Sequence, residues 1–160
     1  MPESIPPSEL PGVACRFMAA PEGVACAWVS LDEVADGVPA AGALAAPLAA
    51  LLSEEERRRY AQLRIRKRRI EWLAGRIAAK HALQRLTGSR RFPSQASVRT
   101  GADGRPVFDA NTLSISHSRH EAMAAVARTP IGVDTETFDA MRADSLAALV
   151  RPREAEVLRC

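Results

Sequence analysis

The sequence predicts an α+β fold, in which a long helix near the middle of the chain is followed by several short strands. Three observations support this class: a helical pattern between Ser53 and Gly88, alternating apolar and polar residues in short segments after it, and an Asp103-Gly104 pair typical of a hairpin turn. The 160 residues correspond to one domain or to one large lobe of a two-lobed protein. Hydrophobic residues make up 47% and charged residues 26% of the chain, which indicates a globular protein and not a disordered one.

The N-terminal part, residues 1–22, is predicted to be a flexible tail, because it contains five prolines. It lacks the basic region of a signal peptide. The folded lobe is expected over 23–160. Within it, residues 24–31 alternate as in a strand, whereas the alanine-rich residues 40–50 indicate a loop or a weak helix.

The clearest element begins at Ser53. Ser53 and Glu56 form a capping-box pattern, in which each side chain can bond the backbone N–H of the other residue. Gly88 is a typical helix end. The stretch between them is long for a globular helix, so a break is predicted at 63–68, where charged residues are crowded.

The second part of the predicted helix, 69–87, carries two stripes at helical spacing. Ile70, Leu73 and Ile77 are predicted to face the core. The other stripe is mostly cationic and consists of Arg69, Trp72, Arg76 and Lys80.

After the helix, four short segments are predicted to be strands: 96–100, 113–117, 122–127 and 131–136. A last helix is predicted over 145–158, with an interruption at Pro152.

Composition excludes several classes of protein. No apolar run reaches the roughly 18 residues that a membrane span needs.

The three cysteines, Cys15, Cys26 and Cys160, cannot all pair and match no metal-binding spacing, which predicts a reducing, cytoplasmic setting. Alanine accounts for 30 residues and aromatic residues are scarce, so we expect a small core built from Leu, Ile and Val.

Basic residues are concentrated in the helical region. The formal net charge is only +3, yet 13 of the 22 basic residues lie within 57–91, where Glu71 is the only acidic residue. Such a local positive potential favours an anionic partner, either phosphate, nucleic acid or an acidic protein.

Two carboxylates stand on one side of the last predicted strand. Asp134 and Glu136 are separated by one residue, so the period of two in a strand places them on the same face, about 6–7 Å apart. Adjacent anions repel one another unless a cation lies between them. Mg²⁺ is commonly held by one or two carboxylates together with substrate phosphates, so the pair is a candidate metal site. A solvated strand face is the simpler interpretation of the same two residues.

Two further segments are candidates for binding an anion. His117 ends a predicted strand among serine hydroxyls, although a histidine in such a place is more often structural. No Ser-His-acid nucleophile pattern surrounds it. Arg105 lies between Gly104 and Pro106. Pro106 stiffens the backbone and so fixes the position from which the Arg105 guanidinium projects. Arginine binds phosphate through a planar fork of donors.

The order and spacing of these segments resemble the 4′-phosphopantetheinyl transferases, and specifically their larger, pseudo-dimeric class. The resemblance rests on W-L-A-G-R-I-A-A-K in the helix, then G-R-P-x-F, then S-I-S-H-S, and then I-G-V-D-T-E. It covers about residues 24–159. It implies a lobe in which a long helix packs on a small antiparallel sheet, with a second lobe largely missing.

The resemblance also implies an activity and a set of site residues. The family transfers the phosphopantetheine arm of coenzyme A to a serine of an acyl or peptidyl carrier protein in fatty-acid, polyketide or nonribosomal-peptide synthesis. Asp134 and Glu136 match its ligands for Mg²⁺, and Mn²⁺ accepts the same oxygen ligands. The positions that hold the phosphates of coenzyme A are matched by Arg76, Arg105, Ser116 and His117. Helix geometry adds Lys80 and Arg69 to this set.

One motif of the family, of the form W-x-x-K-E, is absent from the sequence. In the family its Glu completes the metal site and can act as the general base. We therefore expect a fragment, a truncated product or a non-catalytic remnant, and little transfer by this chain alone. An uncovered lobe interface predicts marginal stability or self-association.

Two other functions are compatible with the same residues. A nucleic-acid-binding module could use the basic residues 57–91, but base stacking requires interleaved aromatic side chains, and that region with Phe92 offers only Tyr60, Trp72 and Phe92. A Mg²⁺-dependent hydrolase could use Asp134 and Glu136, but no third acid or general base is visible. We expect coenzyme A and a carrier protein as partners, and neither nucleic acid nor a membrane.

Overall fold

The structure is a computed structural model that describes residues 13–88, 93–108 and 110–137. Within these ranges, one antiparallel sheet of six strands carries a long helix across a face, which confirms the predicted α+β class. The strands are β1 (Cys15–Met18), β2 (Val24–Ser30), β3 (Arg99–Thr100), β4 (Pro106–Phe108), β5 (Asn111–His117) and β6 (Glu121–Ala127). The helices are α1 (Leu31–Asp36), α2 (Ala46–Ala49), α3 (Glu54–Ala61) and α4 (Arg66–Thr87), and a 3₁₀ turn spans Pro93–Gln95.

The sheet has the strand order β1-β2-β6-β5-β4-β3, and every neighbouring pair is antiparallel. Helix α4 packs mainly on β6 and β2, and it also contacts β5. This arrangement places one side of α4 beside the strands that follow it in the chain.

The predicted limits of the helical region are confirmed. Ser53 Oγ accepts a hydrogen bond from the Glu56 N–H at 3.2 Å, and Glu56 Oε2 accepts one from the Ser53 N–H at 2.8 Å. The break lies between Ala61 and Arg66, close to the predicted position. Helix α4 ends before Gly88, whose φ of +62° a glycine adopts without strain.

Alanine, and not only Leu, Ile and Val, forms the contact between α4 and the sheet. The predicted stripe of Ile70, Leu73 and Ile77 is buried, as expected. Buried alanines lie on both sides of the contact: Ala74, Ala78 and Ala82 on α4, and Ala25, Ala27, Ala122 and Ala124 on β2 and β6. Small side chains on both surfaces let the helix lie close to the strands. The expectation of a core built from Leu, Ile and Val is therefore incomplete, because alanine forms much of this contact.

Helix α4 lies close to β5 at Gly75. A Cβ atom at this position would lie 2.8 Å from Ile115 Cγ2, well inside the roughly 3.5–4.0 Å at which carbon atoms pack. Glycine in the W-L-A-G-R motif is therefore a packing requirement of the helix–sheet contact.

We expect Gly75→Ala to lower the free energy of unfolding. Overpacking against Ile115 costs about 1–3 kcal/mol, and over most of this range it exceeds the roughly 1 kcal/mol by which alanine favours a helix over glycine. Urea unfolding followed by circular dichroism measures the difference. Gly132→Ala is the control, because its Cβ would meet nothing within 4 Å. A Gly75→Ala protein as stable as the parent would contradict the packing requirement.

The prediction of a flexible tail over 1–22 is wrong for Cys15–Met18, which form β1. This strand pairs with β2 and buries Cys15 and Phe17 in the main core. Its four residues are too few for an alternating pattern to stand out in the sequence. Helix α1 was also not predicted, although Ser30 caps it by accepting a hydrogen bond from the Glu33 N–H at 3.4 Å.

The predicted hairpin turn is confirmed between β3 and β4. The Gly101 N–H donates to the Arg105 carbonyl at 2.8 Å, and the Gly104 N–H donates to the Gly101 carbonyl at 3.0 Å. The predicted strand 96–100 is shorter than expected, because only Arg99–Thr100 pairs with β4.

The predicted strand 131–136 is not part of the sheet. Its backbone N–H groups bond to side chains instead of to a neighbouring strand: Val133 N–H donates to Ser114 Oγ at 3.1 Å, and Thr135 N–H donates to Ser116 Oγ at 3.2 Å. Serine hydroxyls of β5 thus replace the partners that a strand ladder would provide.

The segment 131–137 instead crosses a face of the sheet. Ile131 and Val133 pack against Cys26 and Met123, in a cluster separate from the core under α4. Since side chains alternate between the two faces of a strand, this cluster lies on the face opposite α4. The predicted alternation itself is confirmed, because Asp134 and Glu136 are exposed while the residues between and before them are partly buried.

The predicted helix over 145–158 and Cys160 lie outside the described residues. Cys15 and Cys26 are buried and free, and burial raises the pKa of Cys15 to about 12. Among the described helices, none is both long and apolar enough to cross a membrane.

Candidate functional site

A cleft of about 510 Å³ opens where the first half of α4 faces the β3–β4 turn and the end of β5. This volume is within the range of small-molecule sites. The lining residues come from the loop before α4, from α4, from the hairpin and from β5: Leu63, Arg68, Glu71, Trp72, Arg76, Thr100, Gly104, Pro106, Ile115 and His117.

Arg76 is the central cation of the cleft. Its guanidinium carbon lies 4.9 Å from the centre of the Trp72 ring, in a cation–π contact. Burial lowers the pKa of Arg76, although a guanidinium stays charged at neutral pH. Its Nε is buried without a hydrogen-bond partner, and no carboxylate in the described part of the chain forms an ion pair with it. Arg76 is therefore available to an anionic ligand.

Glu71 forms ion pairs with two further cations of α4. Its side chain is only 8% exposed, and its carboxylate lies 3.5 Å from Arg68 Nη1 and 3.7 Å from Lys67 Nζ. These are contacts across one turn of α4, at the i,i+3 and i,i+4 spacings that bring helical side chains together. The single acidic residue of the basic region and its partner Arg68 both line the cleft.

The sheet side of the cleft carries His117 and, at its rim, Arg105. His117 is exposed at the end of β5 and lines the cleft. The Arg105 side chain is 83% exposed and lies 3.5 Å from Asp103. Its neighbours Gly104 and Pro106 line the cleft, so Arg105 projects from the edge of the cleft and not from its wall.

Ser116 and His117 are adjacent in sequence but face different sides of β5. His117 lines the cleft, whereas Ser116 Oγ lies 2.8 Å from Asp134 Oδ1 on the opposite face. The S-H-S motif, treated in the sequence as one phosphate-binding unit, is thus divided between two sites that are one strand apart.

Lys80 does not belong to the cleft, which corrects its assignment to coenzyme A. Its Nζ lies in the interior, 2.5 Å from Glu56 Oε2 and 2.6 Å from the Leu51 carbonyl. A side chain only 2% exposed and bonded to a buried carboxylate cannot reach a phosphate in the cleft.

Arg69 is likewise engaged elsewhere, because it donates to the Ala40 carbonyl at 2.8 Å and does not line the cleft. Its neighbour Arg66 donates to the Ala35 and Val38 carbonyls at the end of α1. Part of the predicted cationic stripe therefore anchors the loop after α1.

The cationic side of the cleft follows a different spacing from the predicted stripe. Arg68, Trp72 and Arg76 recur every four residues, whereas the prediction used Arg69 and Lys80. Arg68 and Glu71 were not predicted as site residues. Their signal in the sequence is this i, i+4, i+8 spacing, together with the isolated position of Glu71 among basic residues.

Asp134 and Glu136 fit a divalent cation by the chemistry of their oxygens. Both carboxylates are exposed on the same side of the segment 131–137. No group of three or more metal-binding side chains occurs among residues 13–88, 93–108 and 110–137. The pair alone would be a weak site that needs oxygens from a ligand to complete it.

Comparison with known families identifies the fold that builds this cleft. A family model described as 4′-phosphopantetheinyl transferase N-terminal domain matches residues 43–127. The chain belongs to the 4′-phosphopantetheinyl transferase family. All lining residues of the cleft fall within the matched range, whereas Asp134 and Glu136 lie after it.

Curated members of this family are similar to part of this chain. Enterobactin synthase component D of Escherichia coli O157:H7 is 43% identical over 104 residues, which cover 62% of this chain and 48% of the relative. A holo-(acyl-carrier-protein) synthase of Geobacillus sp. (strain WCH70) is 36% identical over 86 residues, which cover 48% of this chain and 71% of the relative. The chain spans about half the length of the enterobactin synthase component, at 48%.

Proposed function

We propose that the chain binds coenzyme A in this cleft as part of a 4′-phosphopantetheinyl transferase, which moves the phosphopantetheine arm to a serine of an acyl or peptidyl carrier protein. The proposal is carried by the Arg76 guanidinium, which is stacked on Trp72 and has no carboxylate partner among the described residues. A cation held in this way is complemented by an anionic ligand, and the cleft lies in the part of the chain that matches the family.

The phosphates of coenzyme A suit the distribution of charge around the cleft. Arg68 and Arg76 offer forked N–H donors from the helix side, and His117 and Arg105 offer donors from the sheet side. Trp72 covers one face of the Arg76 guanidinium, which reduces screening by water and strengthens its interaction with phosphate. The pyrophosphate and the 3′-phosphate of coenzyme A together carry enough negative charge to interact with both the helix side and the sheet side of the cleft.

In the reaction, the carrier serine oxygen forms a bond to the phosphorus that bears the arm. The bond from that phosphorus to the bridging oxygen breaks, adenosine 3′,5′-bisphosphate leaves, and the serine proton passes to a base. Arg68 and Arg76 would neutralise the negative charge that grows on the leaving phosphate. Because α4 and the Trp72 ring hold the Arg76 guanidinium in place beforehand, little reorganisation would be needed as that charge develops.

Asp134 and Glu136 are the residues that would hold a divalent cation, Mg²⁺ or Mn²⁺. When bound, such an ion stabilises negative charge on the phosphate that is transferred. Both are exposed, and Asp134 lies on the other side of β5 from the cleft, so the proposal requires a ligand that extends around the end of this strand, next to His117.

Calorimetric titration with coenzyme A in the presence of a chelator tests the binding proposal directly. We expect measurable binding that weakens as the salt concentration rises, because charge pairs that remain partly exposed are screened. Pantetheine, which carries no phosphate, is the matched ligand control and should bind much more weakly. Equal binding of the two ligands, or no binding of coenzyme A, would contradict the proposal.

We expect Asp134→Asn to remove the metal response. The affinity for Mg²⁺ should rise when coenzyme A is present, since its phosphates supply the oxygens that two carboxylates lack. Loss of one charged ligand should reduce that affinity by more than about tenfold, measured by calorimetry with saturating coenzyme A. Asp36→Asn, at an exposed position on α1, is the control and should bind Mg²⁺ like the parent. An unchanged response in Asp134→Asn would remove the metal assignment.

A further inference from the structure

The single hydroxyl proton of Ser116 is engaged by the segment that carries the proposed metal carboxylates. Ser116 Oγ lies 2.8 Å from Asp134 Oδ1, to which it donates its single proton, and it accepts a hydrogen bond from the Thr135 N–H at 3.2 Å. A serine hydroxyl has only one proton to donate. Ser116 therefore has no proton left for a phosphate, in contrast to the role implied for it by the family resemblance.

Asp134 is held through one of its two oxygens. Oδ1 accepts a hydrogen bond from the Ser116 hydroxyl, and it shares the Thr135 N–H with Ser116 Oγ in a three-centre hydrogen bond, at 3.0 Å from the Thr135 nitrogen. A carboxylate oxygen accepts about two hydrogen bonds through its lone pairs, so Oδ1 is occupied. Among the described residues, Oδ2 has no such partner, so it is the oxygen that remains for a cation.

The segment 131–137 has no strand ladder to hold it in place. Its described backbone bonds to the sheet are the two that end on β5 hydroxyls, from Val133 to Ser114 and from Thr135 to Ser116. Ser114 and Ser116 are two residues apart and point to the same face. Both tether the segment, but only Ser116 also contacts the Asp134 carboxylate.

We propose that Ser116 is a positioning residue of the metal site, which fixes the Asp134 carboxylate so that Oδ2 faces the cation. The proposal rests on the proposed function, in which Asp134 holds Mg²⁺. An exposed aspartate otherwise samples several side-chain rotamers, and ordering it on metal binding costs free energy. Residues that hydrogen-bond to a metal ligand typically contribute 10–100-fold to the metal affinity.

The experiment compares Ser116→Ala with Ser114→Ala in the presence of saturating coenzyme A. Binding of Mn²⁺ is followed by the loss of the electron paramagnetic resonance signal of the free ion, and binding of Mg²⁺ by calorimetry. We expect Ser116→Ala to weaken binding of both ions by about 10–100-fold. Ser114→Ala removes the other tether and leaves the Asp134 contact intact, so we expect a much smaller effect. Equal losses in both variants would overturn the proposal.

A second pair of variants separates the hydroxyl from the shape of the side chain. Ser116→Thr keeps the hydroxyl and adds one methyl group. Ser116→Val has the same shape as threonine, with a second methyl group in place of the hydroxyl, and both residues favour a strand. We expect metal affinity to be retained with Thr and lost with Val. Loss with both, despite a native circular dichroism spectrum, would contradict positioning through the hydrogen bond.

Titration of coenzyme A in the presence of a chelator distinguishes the new role from a phosphate contact. Positioning of Asp134 predicts that Ser116→Ala binds coenzyme A like the parent when no metal is present. Weaker binding under this condition would assign Ser116 to the phosphates and overturn the proposal. If Asp134→Asn loses the metal response while Ser116→Ala retains it, the proposal fails and the proposed function stands. If neither variant changes metal binding, the metal site itself fails.

Discussion

Replacing Lys80 by methionine is expected to lower the free energy of unfolding by about 3–5 kcal/mol, because it leaves the buried carboxylate of Glu56 without its cation. Both side chains are only 2% exposed, and Lys80 Nζ lies 2.5 Å from Glu56 Oε2. Burial lowers the pKa of Lys80, and the charge of Glu56 opposes this shift. The measurement is urea unfolding followed by circular dichroism.

Glu56 makes this loss especially costly, because three elements depend on its carboxylate. Besides Lys80, it accepts hydrogen bonds from the Ser53 N–H at the start of α3 and from the Val98 N–H at 3.0 Å, just before β3. The ion pair thus connects α4 to the hairpin that forms one wall of the cleft. The Lys80→Met protein should therefore bind coenzyme A more weakly as well.

Lys67 provides a matched control, since the chain has only 2 lysines and both lie on α4. Its side chain is 82% exposed and its amine is 3.7 Å from Glu71. An exposed pair of this kind contributes little, so Lys67→Met should change the stability by less than about 1 kcal/mol. The double variant Glu56→Gln with Lys80→Met should recover part of the loss, because no unpaired buried charge remains. Equal stability of Lys80→Met and Lys67→Met would contradict the importance of the buried pair.

Arg76→Ala is expected to weaken the binding of coenzyme A by about 10- to 150-fold. Charge-assisted hydrogen bonds are each worth roughly 1.5–3 kcal/mol, which corresponds to this range. The contact with Trp72 at 4.9 Å holds the guanidinium in place without an internal carboxylate partner among the described residues, so its interaction with the ligand is not offset by a lost ion pair. Calorimetric titration in the presence of a chelator measures the effect.

Arg85→Ala is the matched control for Arg76→Ala. Arg85 is on the same helix and also stacks on an aromatic ring, with its guanidinium 5.4 Å from the centre of the Phe17 ring, but it does not line the cleft. Its replacement should leave coenzyme A binding unchanged. Similar losses in the two variants would mean that overall charge, and not this cleft, attracts the ligand.

Dephospho-coenzyme A, which lacks the 3′-phosphate, assigns each arginine to a phosphate. A variant of the residue that contacts the 3′-phosphate should bind both ligands with similar affinity. Arg105→Ala is the informative comparison, because Arg105 projects from the opposite rim of the cleft. If Arg76→Ala and Arg105→Ala both bind coenzyme A like the parent, these two cations do not contribute to coenzyme A binding.

Much of the local structure follows from the sequence, because neighbouring residues alone determine it. Ser53 and Glu56 are three residues apart and can cap each other in any helix that starts there, and Gly88 readily adopts the left-handed conformation that ends one. The hairpin turn at Asp103-Gly104 and the apolar stripe of α4 have the same local origin. The order of motifs along the chain was sufficient to identify the family.

The arrangement of the site depends on contacts between residues distant in sequence. Helical spacing predicts Lys80 on the same stripe as Arg76, but the position of Glu56, 24 residues earlier, places it in the core. Alternation predicts that Asp134 and Glu136 share an exposed side, yet it cannot distinguish a strand at the sheet edge from a segment that crosses its face. The serines of β5 decide this by supplying the missing hydrogen-bond partners.

The sequence by itself therefore determined the limits of the long helical region, the turn between β3 and β4 and the family, and it indicated the residues that we propose for binding anions and metal. Only the tertiary structure decided which of those residues act together. The twofold alternation of β5 sends His117 towards the cleft and Ser116 towards Asp134, although the two are adjacent in the motif. The close contact at Gly75, 2.8 Å from Ile115 for an added Cβ, sets how near the helix with Arg76 lies to the sheet.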